Sequence, residues 1–144
     1  MVETVAAANQ FGTLKMSLEG GVRPLMLDVH FLEDTKTEIS LCHASCKAGA
    51  VKIETTFDTI YGFLDIYPDN VITIIWEMTC DGEADCIVLK RMLYDGSEQS
   101  RLANILYEPL QTGDPWPTLR EMIQNNQKIV QFFERGPFER PWDL

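Results

Sequence analysis

The sequence predicts an α/β fold with a mostly parallel sheet, on two observations. Apolar runs of strand length alternate with amphipathic helical stretches along the chain, and this alternation is typical of strand–helix–strand units. One run, VITIIWE at residues 71–77, is apolar almost without a break, which predicts a strand covered on both faces. The 144 residues contain no internal repeat, low-complexity tract or linker. We therefore expect a single domain over residues 1–144.

The first two strands carry both histidines of the chain. Residues 24–31 alternate apolar side chains with polar ones, which places Asp28 and His30 on the face opposite the core. Residues 38–43 form the second strand, which ends at His43 after a polar loop. The residues expected on the buried face of the first strand are Leu25, Leu27, Val29 and Phe31. Further strands are predicted at residues 71–77, 101–109 and 128–134.

Three helices are predicted between these strands. Thr55 is expected to cap the first, with Asp58 as its capping-box partner, and the helix ends before Pro68. Its apolar stripe comprises Phe57, Ile60, Tyr61 and Leu64. The second helix covers residues 84–94, with an apolar stripe of Ala84, Ile87, Val88 and Met92. The third begins in PWPTLREMIQNN, where Pro117 suits a position near the first turn.

The charge of the chain restricts its partners. The net charge is −10, from 12 Lys+Arg against 22 Asp+Glu, which argues against nucleic acid or an anionic membrane surface as the main partner. A phosphate-bearing substrate stays compatible, because a bound cation can reverse the local field. No apolar run approaches the roughly 20 residues that span a bilayer. The opening MVETVAAANQFGTLK does not resemble a signal peptide, which taken literally indicates the cytoplasm.

The four cysteines occur as two close pairs, Cys42 with Cys46 and Cys80 with Cys86. Two local disulfides would suit an exported protein, whereas reduced thiols would suit a cytoplasmic one. A zinc site made by all four cysteines is the third interpretation. The spacings C-x3-C and C-x5-C differ from the C-x2-C of common zinc ribbons. All three interpretations stay open from the sequence.

Ionisable residues follow several of the predicted strands at their carboxyl ends. In parallel α/β sheets and barrels, binding and catalytic sites gather outside these ends. The alternative is that these residues are simply solvated, since charged side chains are mostly exposed. The residues in question are Asp28, His30, His43, Glu77 and Glu134. We predict that an acid-and-histidine site lies at this edge of the sheet.

Four segments together resemble the phosphatidylinositol-specific phospholipase C X-domain-like family of phosphodiesterases. They are GGVRPLMLDVHF, LCHASC, YPDNVITIIWE and DPWPTLREMIQNNQKIVQFFE, and the resemblance runs from about Asn9 to Glu134. It implies a TIM-type (β/α) barrel. Because such a barrel needs about 250 residues, the chain resembles the first half of one without its opening strand, a partial barrel. It is then either a fragment or completed by a partner, and unpaired sheet edges would favour self-association. Arg23 is expected to be structural.

The resemblance also implies roles for particular residues. His43 matches the second of two catalytic histidines in the family. The first, in a motif like Thr-His-Asn-Ser on the opening strand, has no counterpart, because no histidine precedes His30; we hypothesise that His30 replaces it. Calcium-dependent members hold Ca²⁺ with acids at strand ends, and Asp28 and Glu77 match two such positions. A further acid of the family is Met26 here.

These implications predict a phosphoric diester hydrolase that acts on a phosphoinositide or a similar phosphodiester. A catalytically inactive remnant or binding module of the same fold is one alternative. A zinc-stabilised interaction domain is another. The paired cysteines and the secreted branch of the family favour export, although the visible N-terminus has no signal sequence. The enzyme hypothesis requires Asp28, His43 and Glu77 to converge on one pocket wall.

Overall fold

The computed structural model describes residues 12–32, 38–43, 46–80, 84–89, 99–107 and 115–134. Within them, five strands form one sheet in the order β3-β2-β1-β4-β5. The strands are β1 (Pro24–Phe31), β2 (Ile39–Leu41), β3 (Val51–Lys52), β4 (Ile72–Thr79) and β5 (Ile129–Glu134). β1, β4 and β5 run parallel, whereas β2 and β3 are short antiparallel additions to the β1 edge. The predicted α/β class with a mostly parallel sheet is confirmed, and the described strands stay open rather than closing into a barrel.

Helices connect or flank these strands. They are α1 (Leu14–Glu19), α2 (Ile53–Ile66), α3 (Gln99–Ile105) and α4 (Leu119–Gln124), and residues 84–89 are also helical. α1 was not predicted from the sequence. It begins after Thr13, whose hydroxyl accepts the Met16 N–H at 3.2 Å. Among the described residues, no helix is both long and apolar enough to cross a bilayer.

β1 and β4 share one buried face. Their parallel register places Leu25 beside Ile74 and Val29 beside Met78, and all four side chains are buried. Trp76 lies between Ile74 and Met78 on β4 and has no exposed surface. Because side chains alternate along a strand, this face collects every second residue. The alternation predicted for residues 24–31 is confirmed.

The opposite face of these two strands is much more exposed. Met26 and Glu77 are exposed there, and Thr73 and Ile75 are half-buried. The expectation that β4 is covered on both faces is therefore wrong. A continuous apolar run predicts burial on both faces, whereas in the structure α2 packs on the Trp76 face, where the Phe57 ring lies 6.0 Å from the indole.

The apolar stripe predicted for α2 is confirmed, because Phe57, Ile60, Tyr61 and Leu64 are all buried. The predicted start of the helix is wrong. α2 begins at Ile53 after Lys52, whose side chain makes no capping hydrogen bond, so Thr55 lies inside the first turn and no capping box forms with Asp58. Ile53 is itself buried, and its burial extends the helix one turn toward β3.

The strand predicted at residues 101–109 is wrong as well. Residues up to Ile105 belong to α3, and among the described residues of this stretch the strand pairing is one bridge between Leu106 and Ile129, whereas residues 108–109 lie outside the described residues. Leu102 is buried in the core, while the Arg101 guanidinium bonds to Asp65 of α2. A short apolar run does not distinguish a strand from a buried helix turn. Here the segment packs against α2 as a helix.

The helix predicted from residue 84 faces the core with different residues from those expected. Ala84, Ile87 and Val88 are exposed, whereas Cys86 and Leu89 are buried; Met92 lies outside the described residues. Cys86 is bonded to Cys80 at the end of β4. Because that bond holds the Cys86 side of the helix toward the sheet, the described residues of the predicted apolar stripe face solvent.

The last helix and strand agree closely with prediction. α4 follows Thr118, which forms a capping box with Glu121: the Thr118 hydroxyl accepts the Glu121 N–H, and the Glu121 carboxylate accepts the Thr118 N–H at 2.8 Å. Pro117 precedes this cap. β5 then pairs with β4 over six residues and completes the described sheet.

Candidate functional site

Two acids lie side by side on the exposed face of the sheet. The parallel register of β1 and β4 pairs Asp28 with Glu77. Both residues alternate with buried neighbours, so both project away from the core. On β5, Glu134 occupies the register position next to Glu77. Three adjacent parallel strands therefore bring an acidic residue to the same level.

His43 joins this pair through a direct contact with Asp28. Its Nδ1 lies 2.8 Å from Asp28 Oδ2. An ionised carboxylate can only accept hydrogen bonds, so the contact favours the tautomer with the proton on Nδ1. The other ring nitrogen, Nε2, is then the basic one. The His43 side chain is 51% exposed and the Asp28 side chain 20%, so the imidazole can be reached from solvent.

The route that brings His43 to Asp28 differs from the predicted one. The prediction relied on parallel strands ending at a common edge, but β2 is antiparallel to β1. The chain returns along β1, and the Cys42 N–H donates to the Asp28 carbonyl at 3.2 Å. His43 is therefore carried to the level of Asp28 by a hairpin. Asp28, His43 and Glu77 nevertheless share one side of the sheet.

His30 lies two residues after Asp28 on the same face of β1. It is in register with Thr79 on one side and Ser40 on the other, and its Nε2 is 3.4 Å from Thr79 Oγ1. Ser40 is buried although it is polar. Neither hydroxyl was predicted to lie beside His30, because the register between neighbouring strands is not visible in the sequence.

All four cysteines are paired as Cys42–Cys46 and Cys80–Cys86. This pairing leaves no thiolate for the four-cysteine zinc site considered from the sequence. The first disulfide adjoins His43 directly, because Cys42 precedes it in the chain. The bond ties the segment that carries the histidine to the short 3-10 turn Cys46–Ala48.

Arg23 lies at the other end of β1 and has structural partners. Its Nε donates to Asn70 Oδ1 at 2.7 Å, and one terminal nitrogen donates to the carbonyls of Leu18 and Val22. The guanidinium also lies 4.7 Å from the centre of the Phe63 ring. These contacts fasten α1 and the turn before β4 to the start of β1, as expected for a structural residue.

Comparison with known proteins places the chain in a family. The sequence profile of the PI-PLC X family, described as "PI-PLC X 1", matches residues 1–138. The chain belongs to the PI-PLC X family. A PI-PLC X domain-containing protein of Arabidopsis thaliana is 28% identical to this PI-PLC X chain over 138 residues, which are 91% of the chain and 30% of the relative.

Solved structures with a similar fold are phosphatidylinositol-specific phospholipases C. One from Staphylococcus aureus superposes with a TM-score of 0.65 at 20% identity, over 92% of this chain and 41% of that one. A second Staphylococcus aureus structure gives a TM-score of 0.61 over the same shares of both chains. The PI-PLC X chain thus has the phospholipase C-like fold, and it spans less than half the length of these relatives.

Proposed function

We propose that this chain is a phosphoric diester hydrolase of the phospholipase C type, acting on a phosphoinositide or a similar phosphodiester. The observation that carries the proposal is the 2.8 Å contact between His43 Nδ1 and Asp28 Oδ2 beside Glu77. It supplies an oriented imidazole next to acids on an accessible face. Family membership supplies the reaction class.

The imidazole of His43 would move the proton of the attacking group. With Nδ1–H held by Asp28, Nε2 accepts the proton of a hydroxyl that neighbours the phosphate. The oxygen of that hydroxyl then bonds to phosphorus, and the ester bond from phosphorus to the departing alcohol breaks. The departing oxygen takes up a proton. Asp28 stabilises the imidazolium that forms, since an opposite charge within hydrogen-bond distance favours the charged ring.

His30 would serve as the second histidine of the reaction. It lies on the same face as Asp28, and imidazole donates protons readily near neutral pH. We assign it the proton given to the departing oxygen. Loss of His30 should then slow release of the alcohol. If His30→Ala leaves the diesterase rate unchanged, this role is wrong while the role of His43 stands.

Substrate charge makes a cation useful here. A phosphodiester is an anion, and Asp28 and Glu77 present negative charge on a chain with a net charge of −10. Their carboxylate oxygens fit Ca²⁺, which takes oxygen ligands, and we propose that they hold it. The side chain of Met26, two residues before Asp28, adds no oxygen ligand. A bound Ca²⁺ supplies positive charge that offsets the phosphate and acidifies the attacking hydroxyl.

The second candidate is a binding module without turnover. It is favoured by one observation: the chain has only two histidines, and neither precedes β1. In that case the same face would bind a phosphodiester head group, and no bond would break. The two candidates share the fold and differ only in product formation.

The experiment that tests the proposal measures soluble inositol phosphate released from phosphatidylinositol in detergent micelles, with and without Ca²⁺. We expect release by the wild-type chain and a loss of about 10²-fold or more in His43→Gln, the share that general acid–base groups contribute. The unfolding midpoint of His43→Gln should match wild type, because its ring is half exposed. Binding of the micelles without any release would favour the binding module instead.

A further inference from the structure

Three potential metal ligands meet beside the proposed pair of His43 and Asp28, and one of them is His30, to which the proposed reaction assigns the second proton transfer. One ring nitrogen of His30 and the Sγ atoms of Cys42 and Cys46 all lie within 4.8 Å of one another. Cys42 is buried, and His30 and Cys46 are half-buried. Among the described residues, this is the one group of three or more His, Cys, Asp or Glu ligand atoms with such spacing.

The elements of the fold hold these three residues together. His30 is paired with Ser40 between β1 and β2, so Cys42, two residues later, emerges on the same face of the hairpin. Cys46 begins the 3-10 turn that folds back toward it, and the two Cα atoms are 5.1 Å apart. The three ligand atoms therefore surround one small volume.

We propose that reduction of the Cys42–Cys46 disulfide converts this cluster into a zinc site with His30, Cys42 and Cys46 as ligands. Two thiolates and one imidazole form a ligand set that Zn²⁺ favours and that Ca²⁺ does not. Tetrahedral coordination with Zn–S near 2.3 Å and Zn–N near 2.0 Å requires ligand separations of about 3.5–3.8 Å. The ligand atoms lie within 4.8 Å of one another, at most about 1.3 Å beyond that requirement, and the two sulfurs move apart when the bond between them opens.

The reaction balances with a small dithiol as the reductant. The dithiol transfers two electrons and two protons to the protein disulfide and becomes a cyclic disulfide itself, while Cys42 and Cys46 become thiols. Zn²⁺ then displaces both thiol protons and binds a lone pair of His30. The fourth coordination position is left for a water molecule, since the cluster is partly open to solvent. In the zinc-bound form, His30 is a metal ligand, and so is Cys42, the residue that precedes His43.

This site is distinct from the proposed calcium site and from the four-cysteine site considered from the sequence. Cys80 and Cys86 play no part in it, and they lie at the end of β4 and in the following helix. Zinc binding can be measured directly, so the site does not depend on whether the chain hydrolyses phosphodiesters.

The test is a titration of the chain with Co²⁺, a spectroscopic substitute for Zn²⁺, after reduction by a phosphine that does not itself bind the metal. In that reagent, phosphorus is oxidised to the phosphine oxide with oxygen from water, whose two protons go to the sulfurs. We expect one equivalent of Co²⁺ to bind with a thiolate-to-cobalt charge-transfer band, and Zn²⁺ to displace it. The oxidised chain should show no such band.

Variants identify the ligands. His30→Ala should weaken Co²⁺ binding by more than about tenfold, because even the residues that support zinc ligands contribute 10–100-fold. The matched control, Cys80→Ser with Cys86→Ser, removes the other disulfide and should bind Co²⁺ as tightly as wild type. If this control loses the band, or His30→Ala keeps full affinity, the assignment is wrong.

A second variant removes the need for reduction. Cys46→His cannot form the disulfide, yet it presents two imidazoles and the Cys42 thiolate to the same space. We expect this variant to bind Zn²⁺ without reductant while Cys80–Cys86 stays intact. If neither Cys46→His nor the reduced wild-type chain binds one equivalent of metal, the proposal is overturned, whatever the outcome of the diesterase assay.

Discussion

The two faces of the β1–β4 strand pair differ in what they contribute to the protein. On one face, Val29 and Trp76 are completely buried. On the other, Met26 is 58% exposed and Asp28 lies beside Glu77. Neighbouring residues in the sequence therefore have different roles, because alternate side chains of a strand lie on opposite faces of the sheet. One face stabilises the sheet, and the other is available for chemistry.

The largest expected effect tests the buried face. Trp76→Ala should lower the free energy of unfolding by about 3–5 kcal/mol, the usual cost of emptying a buried aromatic site. It also removes the indole N–H that donates to Gln131 Oε1 at 2.9 Å. Met26→Ala, on the exposed face of the adjacent strand, should change the same quantity by less than about 1 kcal/mol. Urea denaturation measures both, and equal losses would contradict the distinction between the faces.

The next effect concerns activity on the exposed face. Asp28→Asn keeps the shape of the side chain but removes the charge that stabilises the His43 imidazolium. We expect diesterase activity to fall by about 10²-fold or more, with an unfolding free energy within about 1 kcal/mol of wild type.

Asp69→Asn provides the matched control for this change. Asp69 is an exposed acid in the turn that precedes β4, at the other end of the strand. Its substitution removes one negative charge from the chain without altering the acids beside His43. Equal activity losses in Asp28→Asn and Asp69→Asn would show that net charge, rather than the contact with His43, is responsible.

A smaller effect is expected at Arg23, a charged residue used for structure. Arg23→Lys loses the Nε bond to Asn70 and the planar contact with Phe63. We expect the unfolding free energy to fall by about 1.5–3 kcal/mol, the range for hydrogen bonds to charged groups. Activity per folded molecule should be unchanged. Lys15→Gln, which breaks only a surface pair with Glu19 at 3.8 Å, should cost less than about 0.5 kcal/mol.

The smallest effect is a dependence on pH at the start of α4. The backbone N–H of Thr118, and then its hydroxyl, donate to the Glu121 carboxylate and lower its pKa below the ordinary 4.5. A lowered pKa in the folded state stabilises the fold above pH 4.5, and this contribution is lost as the pH falls through the folded value.

Unfolding measured between neutral and acid pH checks this dependence. Glu121→Gln should abolish the part of the pH dependence that comes from the cap. Thr118→Ala should reduce it without removing it, because the backbone N–H still donates. An unchanged pH profile in Glu121→Gln would mean that the capping box contributes nothing in solution.

Several elements were predictable because their signals are local. The alternation in β1 and the spacing of Phe57, Ile60, Tyr61 and Leu64 in α2 each follow from one element and its contact with a core. Elements whose identity depends on a neighbour were not predictable. α3 was mistaken for a strand because its packing on α2 is invisible in the sequence, and the buried side of residues 84–89 follows from the Cys80–Cys86 bond.

The candidate site divides in the same way. The sequence by itself determined that Asp28 and His30 leave the core side of their strand, since polar and apolar residues alternate there with a period of two. For Glu77 it determined only a place at the end of an apolar run, and the tertiary structure decided its side of the sheet. Only the tertiary structure decided that His43 contacts Asp28, and that Cys42 and Cys46 lie beside His30. These approaches join residues from separate segments, and they depend on strand direction and register, which hydrogen bonds between strands establish after the chain has folded.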